Sequence, residues 1–352
     1  MSEIRDAVTA LLGGHALRTA DGGRDDGAAR AAFAELTAQG WTRVGLPESL
    51  GGNGGTLADA ADVTAAAAYL GVATPLADQV LIANAAASLL GIAVPAAATC
   101  VLPVVAEAGT ATGVPWASWA SHLLVADRAG EVAVIDAREA LVTPGANLAD
   151  EPNDGVTLDT AVSGAAVSGA GTSGAAAADL ITLLGALARS VQIAAALRRC
   201  QDLSVTYARQ RRQFGRLLAD LPVIQQELAA LAGETAAAQA ASRAAIGAAA
   251  GGRGDWWMAA EHAAARSVAA AKVRAGLAAT AGARSAHQIH GAIGITREYE
   301  LHVHTRSLWA WRDEYGAERT WARRLGDTVR ASPDGLWASI VPAHGDDSVS
   351  SH

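Results

Sequence analysis

The stretch Tyr207-Ala208-Arg209-Gln210-Arg211-Arg212-Gln213-Phe214-Gly215-Arg216 decides how this chain is interpreted. It closes a segment, Asp179–Tyr207, that contains no proline and a single glycine, which predicts a long helix. Four arginines gather around the helix end that Gly215 marks, where cations complement the helix dipole. The same guanidinium groups suit a pyrophosphate, with Phe214 as an apolar or stacking surface. The stretch therefore admits a structural and a ligand-binding role.

A second stretch, about seventy residues further on, is open to the same two interpretations. It reads Gln288-Ile289-His290-Gly291-Ala292-Ile293-Gly294-Ile295-Thr296-Arg297-Glu298-Tyr299. Its two glycines allow either a close approach of the backbone to a ligand or a tight turn between helices. Composition alone favours the structural role for both stretches.

Further helical segments follow the first stretch, and together they predict a four-helix bundle over residues 175–330. After Asp179–Tyr207 the patterns indicate helices at Leu221–Ala250, Trp256–Gln288 and Leu301–Arg330. Residues 331–352 contain prolines, serines and aspartates and are predicted to be a loose tail.

The first 174 residues divide into two regions with different sequence patterns. Residues 1–100 alternate helical patterns, such as Asp26–Gln39 and Leu57–Leu70, with short polar breaks. Residues 101–174 contain short β-like runs, of which Ser121–Ala126 and Glu131–Ile135 flank a hairpin-type turn. The expected fold is mainly α with a small central antiparallel β-domain: N-terminal helices (1–100), the β-domain (101–174) and the bundle (175–330).

Composition excludes several classes of function. The 352 residues have a formal charge of −8 and no basic block, so nucleic acid and anionic membranes are not expected as partners. Cys100 and Cys200 are the only cysteines and give no disulfide framework. No apolar run of about 18 residues is present, and Glu3 and Asp6 do not fit a signal peptide. We expect a cytoplasmic protein.

Neither a metal site nor a serine or cysteine nucleophile is expected. The sequence contains no HExxH, CxxC or GxSxG motif. The histidine pairs His287/His290 and His302/His304 are assigned to helix ends and interfaces.

The two stretches together resemble the acyl-CoA dehydrogenase family. YARQRRQFG (207–215) and QIHGAIGITRE (288–298) are similar to that family's "YA..R.QFG" and "Q.hGg.G.t.E" in pattern and separation. PESLGGNGG (47–55) resembles its N-terminal "PeeyGG.gg" loop, and VPWASWASHLLVAD (114–127) resembles the opening of its β-domain. The resemblance extends to about residue 330.

The resemblance implies a dimer or a dimer of dimers that binds FAD. By residue, it carries contacts with a neighbouring subunit's FAD onto Arg211, Gln213 and Phe214. It carries contacts with the opposite subunit's FAD onto Gln288, Gly291 and Gly294. The implied reaction is α,β-dehydrogenation of an acyl-CoA, in which a glutamate removes the α-proton and flavin accepts the hydride. An electron-transfer flavoprotein is the implied electron acceptor.

Three departures from the family pattern concern the catalytic base and the flavin. In place of the family's late "yEGt" glutamate stands Glu314-Tyr315-Gly316, after Arg306-Ser307 in the place of its "RD". The alternative base position on the first bundle helix falls near Gln192, which cannot take a proton at neutral pH. The family's "T.p.aGSD" flavin loop is replaced by Ala106–Thr110.

These departures leave the catalytic residue unknown and three hypotheses open. We favour a base-lacking subunit of an α2β2 acyl-CoA dehydrogenase, a type that acts on steroid or other bulky acyl-CoA substrates, in which a second chain supplies the base. The second hypothesis is a homomeric dehydrogenase with Glu314 or Glu298 as base, although a solvated helical position is the ordinary expectation for Glu314. The third is a non-redox scaffold subunit.

Overall fold

A computed structural model describes residues 3–13, 23–128, 132–158, 172–252, 256–259 and 262–331. The predicted tail beyond Ala331 lies outside these residues. The N-terminal part is helical, and its apolar faces share one core with the rest of the chain. Its helices are α1 (Glu3–Leu12), α2 (Asp26–Ala38), α3 (Leu57–Leu70) and α4 (Asn84–Leu90), the last preceded by a π-helical segment, Asp78–Ala83.

The middle part consists of two three-stranded sheets. Its strands are β1 (Val101–Ala106), β2 (Thr110–Pro115), β3 (His122–Asp127), β4 (Val132–Asp136), β5 (Ala140–Thr143) and β6 (Asn153–Leu158). One sheet has the order β1-β3-β4 and the other β2-β6-β5. The predicted hairpin is confirmed, because β3 and β4 pair antiparallel, although residues 129–131 of its turn lie outside the described part. All pairings are antiparallel except that of β1 with β3.

The C-terminal part is a bundle built around one long apolar helix. Its helices are α5 (Gly174–Gln210), α6 (Pro222–Gly251), α7 (Ala263–His290), α8 (Leu301–Asp313) and α9 (Glu318–Ala331). By length and composition α5 could cross a membrane, but 89% of its most apolar window is buried in the fold. The burial is that of the central helix of a globular core.

Two predicted helix boundaries are wrong. The helix expected at Trp256–Gln288 begins at Ala263, because His262 caps its start with a hydrogen bond from the Ala264 N–H. The helix expected at Leu301–Arg330 is two helices, interrupted after Asp313. Tyr315 and Gly316 adopt φ values of 53° and 95° at the break, which an α-helix cannot contain.

Lys272 holds the end of α8 immediately before this break. It is the only lysine of the chain, and its buried Nζ donates to the carbonyl oxygens of Trp311 (2.7 Å) and Arg312 (2.9 Å). Carbonyls at a helix C-terminus lack partners in the helix and favour a cation. Burial nevertheless lowers the pKa of Lys272 to about 7.

The free energy of unfolding should therefore rise from pH 7 to pH 9. In this window the unfolded chain keeps the Lys272 proton that the folded chain releases, so raising the pH favours folding. Lys272→Met removes this contribution, which is at most about 3 kcal/mol over two pH units. We expect denaturant titrations at pH 7 and 9 to show a smaller rise for Lys272→Met than for the wild type; equal rises would contradict this role.

Candidate functional site

A small exposed hairpin follows α5 and contains three of the predicted site residues. Its strands are β7 (Arg212–Gln213) and β8 (Arg216–Leu217), and the turn between them is Phe214-Gly215. Both turn residues have positive φ, 51° and 77°, as in a type I′ turn. Asparagine or glycine usually occupies the first of these positions, and a phenylalanine there is strained. The Phe214 side chain is also 86% exposed, so packing within the chain does not explain it.

The second stretch packs directly beneath this hairpin. Ile289, at the end of α7, forms a small cluster with Ala208, Leu218 and Ile224. The adjacent His290 ring stacks on Tyr207, with 4.6 Å between ring centroids. The two stretches, distant in sequence, thus form one end of the molecule.

Five of the six predicted cofactor residues are exposed at this end: Arg211, Gln213, Phe214, Gln288 and Gly291. Gly291 has a φ of 63°, and a Cβ there would meet no other atom within 4 Å, so a ligand could approach its backbone. Gly294 is buried instead. A Cβ on Gly294 would lie 2.9 Å from the His290 side chain, so its lack of a side chain serves internal packing.

The residues present fit one half of an FAD molecule and not the other. The exposed end supplies guanidinium groups and accessible backbone, which suit a diphosphate. On the β-domain, Ala106–Thr110 contains only a two-residue turn, with φ of 50° at Ala108 and 79° at Gly109. Glu107 and Thr110 bridge across it. This turn has no loop that could pack against a flavin ring.

The buried centre of the chain is the guanidinium of Arg189, on α5. Its Nη2 donates to Asp78 Oδ1 (2.8 Å) and its Nε to Glu314 Oε2 (2.6 Å). Its Nη1 donates to Asp78 Oδ2 (3.2 Å) and to Gln192 Oε1 (2.6 Å). Burial raises the pKa of Asp78, and the Arg189 charge opposes that shift. One cation thus joins the N-terminal helices, α5 and the α8–α9 junction.

Two positions that the sequence analysis considered for the catalytic base, Glu314 and Gln192, belong to this network. Glu314 is not the solvated helical residue that was expected: it follows the last residue of α8, and its side chain is 10% exposed. Its second oxygen accepts a hydrogen bond from Asn147 Nδ2 (2.8 Å). Gln192 is buried with its oxygen on Arg189. The Glu314 carboxylate accepts a hydrogen bond at each of its two oxygens, and Gln192 has no acidic group. Glu298, the other residue considered as the base, is exposed and lies in the second stretch, residues 288–299.

Tyr315 occupies the space beside this network. Its ring lies on the backbone of Gly185, where an added Cβ would come within 2.3 Å of it. The phenol donates to Asp78 Oδ1 (3.3 Å), and the Arg189 guanidinium lies 5.3 Å from the ring centroid. Burial raises the pKa of Tyr315 well above its ordinary value. A phenol in this state is neutral at physiological pH and cannot serve as a base.

A cavity of about 560 Å³ lies between the β-domain and the α8–α9 junction. It is lined by residues of both: Gly113, Asn147, Leu148, Asn153, Trp309, Ala310, Arg312, Asp313, Glu314 and Tyr315. Near it, burial raises the pKa of Glu151 to about 7, although Trp311 Nε1 donates to its carboxylate (3.0 Å). Within the described residues, no three histidine, cysteine or acidic side chains are arranged to bind a metal.

Sequence reasoning missed Arg189, Asp78 and Tyr315. One signal was present, because Arg189 is the only charged residue between Leu180 and Leu197, and a charge in such an apolar stretch is almost never buried without a partner. Its partners could not be identified, since they lie 111 and 125 residues away in sequence.

The three-part architecture is shared with several solved structures. A chain of the ChsE4–ChsE5 complex from Mycobacterium tuberculosis aligns with a TM-score of 0.72 at 21% identity, covering 95% of this chain and 99% of that one. The Tcur3481–Tcur3483 steroid ACAD (G363A variant) aligns with a TM-score of 0.78 at 20% identity, covering 93% of this chain and 97% of that one. Butyryl-CoA dehydrogenase from Megasphaera elsdenii aligns with a TM-score of 0.75 at 17% identity, covering 94% of this chain and 99% of that one. At these identities the likeness establishes the fold.

The fold therefore defines the class as acyl-CoA dehydrogenase-like. Residues 173–312 match the family model described as "Acyl-CoA dehydrogenase, C-terminal domain". No curated protein matches the sequence.

Removing the central cation should destabilise the chain severely. Arg189→Met leaves Asp78 and Glu314 buried without their counter-ion, which costs about 3–5 kcal/mol. The triple variant Arg189→Met/Asp78→Asn/Glu314→Gln removes the uncompensated charges and should recover part of the loss. Denaturant unfolding measures both; a single variant within about 1 kcal/mol of the wild type would contradict this account.

Phe214→Asn should stabilise the chain while weakening its binding of a cofactor. Asparagine tolerates the positive φ that strains phenylalanine, so we expect unfolding free energy to rise by about 1 kcal/mol. Phe214→Ala is the control, because it removes the ring and keeps the strain. If Phe214→Asn lowers the thermal midpoint, or if neither variant weakens FAD binding, the turn has only a structural role.

Proposed function

We propose that this chain is the base-lacking, cofactor-completing subunit of a heteromeric FAD-dependent acyl-CoA dehydrogenase. The observation that carries the proposal is the pairing of Arg189 with Glu314 and Asp78, because it occupies the carboxylates near the position of the family's base. The neutral Tyr315 beside that pair is no substitute, and the buried Glu151 carboxylate is itself hydrogen-bonded to Asn147 and Trp311.

The reaction requires a base that is free to remove the α-proton of the thioester. FAD, when bound, supplies the hydride acceptor. In our proposal the base belongs to a second acyl-CoA dehydrogenase-like chain, and this chain contributes binding groups only. Arg211 neutralises diphosphate charge, Gln213 and Gln288 offer hydrogen bonds, Phe214 covers an apolar surface, and the Gly291 backbone admits close approach.

The exposed end of this chain supports the assignment to a shared site. Five predicted cofactor residues face solvent there, whereas the β-domain turn Ala106–Thr110 offers no cover for a flavin ring. A site with only its diphosphate half requires another chain for the rest.

Two of the structurally similar proteins support a heteromeric steroid-type enzyme, since one is a complex of ChsE4 with ChsE5 and the other is a steroid ACAD. We propose a bulky, steroid-derived acyl-CoA as the substrate of the complex and an electron-transfer flavoprotein as its electron acceptor.

The homomeric alternative depends on Glu314 or Glu298 and is tested by removing each carboxylate. In whichever assembly is active, this chain alone or its complex with a partner, Glu314→Gln should change kcat by less than threefold, because glutamine still accepts the Arg189 hydrogen bond. Glu298→Gln is the matched control at an exposed position. A loss of a thousandfold or more from either variant, with FAD still bound, would identify that residue as the base and refute the proposal.

A further inference from the structure

The exposed hairpin carries more positive charge than the family pattern requires. The pattern "YA..R.QFG" uses one arginine, Arg211, whereas Arg209, Arg212 and Arg216 lie within five residues of it. Each of the four is exposed. Among the described residues, none of these four arginines forms an ion pair. Every carboxylate that does form one is paired with a different arginine. In a chain of net charge −8, a local group of unpaired cations requires a reason.

Strand register separates these arginines onto two faces of the hairpin. Gln213 pairs with Arg216, and Arg212 pairs with Leu217. Directly opposed residues share a face, and successive residues alternate between faces. Arg216 therefore lies on the face of Gln213, and Arg212 lies on the other face with Leu217.

Arg211 belongs to the face of Gln213 and Arg216. Its backbone is extended, with φ −80° and ψ 130°, so the alternation includes it. Its carbonyl also accepts the Leu218 N–H (2.9 Å), which continues the ladder of the hairpin by one pair. One face thus presents two guanidinium groups on either side of an amide.

We infer that Arg216 is a second diphosphate-binding residue, acting with Arg211 on the same bound FAD. The two phosphates of FAD carry two negative charges, and the common face of the hairpin carries two cations at cross-strand and next-neighbour spacing. Guanidinium groups match phosphate oxygens in geometry as well as charge. The inference depends on the proposed cofactor but not on the missing base or on a heteromeric partner.

Arg212 provides a matched control, because its removal changes the charge of the same hairpin by the same amount. FAD affinity is measured by flavin fluorescence for the wild type, Arg216→Gln and Arg212→Gln in whichever assembly binds FAD, the chain alone or the two-chain complex. We expect Arg216→Gln to raise the Kd by about tenfold to a hundredfold and Arg212→Gln by less than threefold. Arg216→Lys keeps the positive charge but loses the two-pronged guanidinium group, so its Kd for FAD should lie between those of the wild type and Arg216→Gln.

Equal effects of Arg216→Gln and Arg212→Gln would overturn the inference, because they would indicate only the long-range field of the hairpin. The difference between the two variants should persist at 0.5 M NaCl, where long-range attraction is screened. If the wild type binds no FAD in either assembly, the cofactor proposal and this inference both fail. If it binds FAD with the two variants indistinguishable, only this inference fails.

Discussion

The buried guanidinium of Arg189 is the interaction on which the rest of this structure depends. It joins three regions that no local pattern would bring together: the π-helical segment that contains Asp78, the central helix α5 and the α8–α9 junction at Glu314. Burying such a charge is unfavourable unless its hydrogen bonds and counter-charges are supplied. Asp78, Glu314 and Gln192 supply them, and their positions are thereby fixed.

This constraint also determines what the chain can do chemically. A carboxylate that accepts hydrogen bonds from Arg189 and Asn147 at its two oxygens stabilises the fold, and in our proposal it does not abstract the substrate proton. At the C-terminal end of α5, by contrast, cations and an 86%-exposed phenylalanine face solvent without partners in the described chain. The carboxylates of Asp78 and Glu314 are paired with Arg189, whereas the surface where the resemblance places the cofactor contacts is exposed. We interpret this division as that of a subunit that completes a neighbour's site.

Much of the fold was predictable because it depends on local pattern. The helices of the N-terminal region, the long helix before Tyr207 and the β3–β4 hairpin follow from periodicity and turn residues. The break after Asp313 was not predicted, since Gly316 is its one local sign and helical periodicity continues on both sides. Tertiary contacts impose it: Glu314 binds Arg189, and Tyr315 lies on Gly185. The Phe214-Gly215 turn was likewise not predictable, because phenylalanine is not a residue that indicates a type I′ hairpin.

The ratio of FAD to polypeptide in the purified two-chain complex tests the central claim most directly. If this chain contributes only the diphosphate half of each site, visible absorption and amino-acid analysis should give one FAD for every two chains, and this chain purified alone should be colourless. One FAD per chain in the complex, or a stoichiometric flavin band from this chain alone, would show that it holds a complete site of its own and would contradict the account.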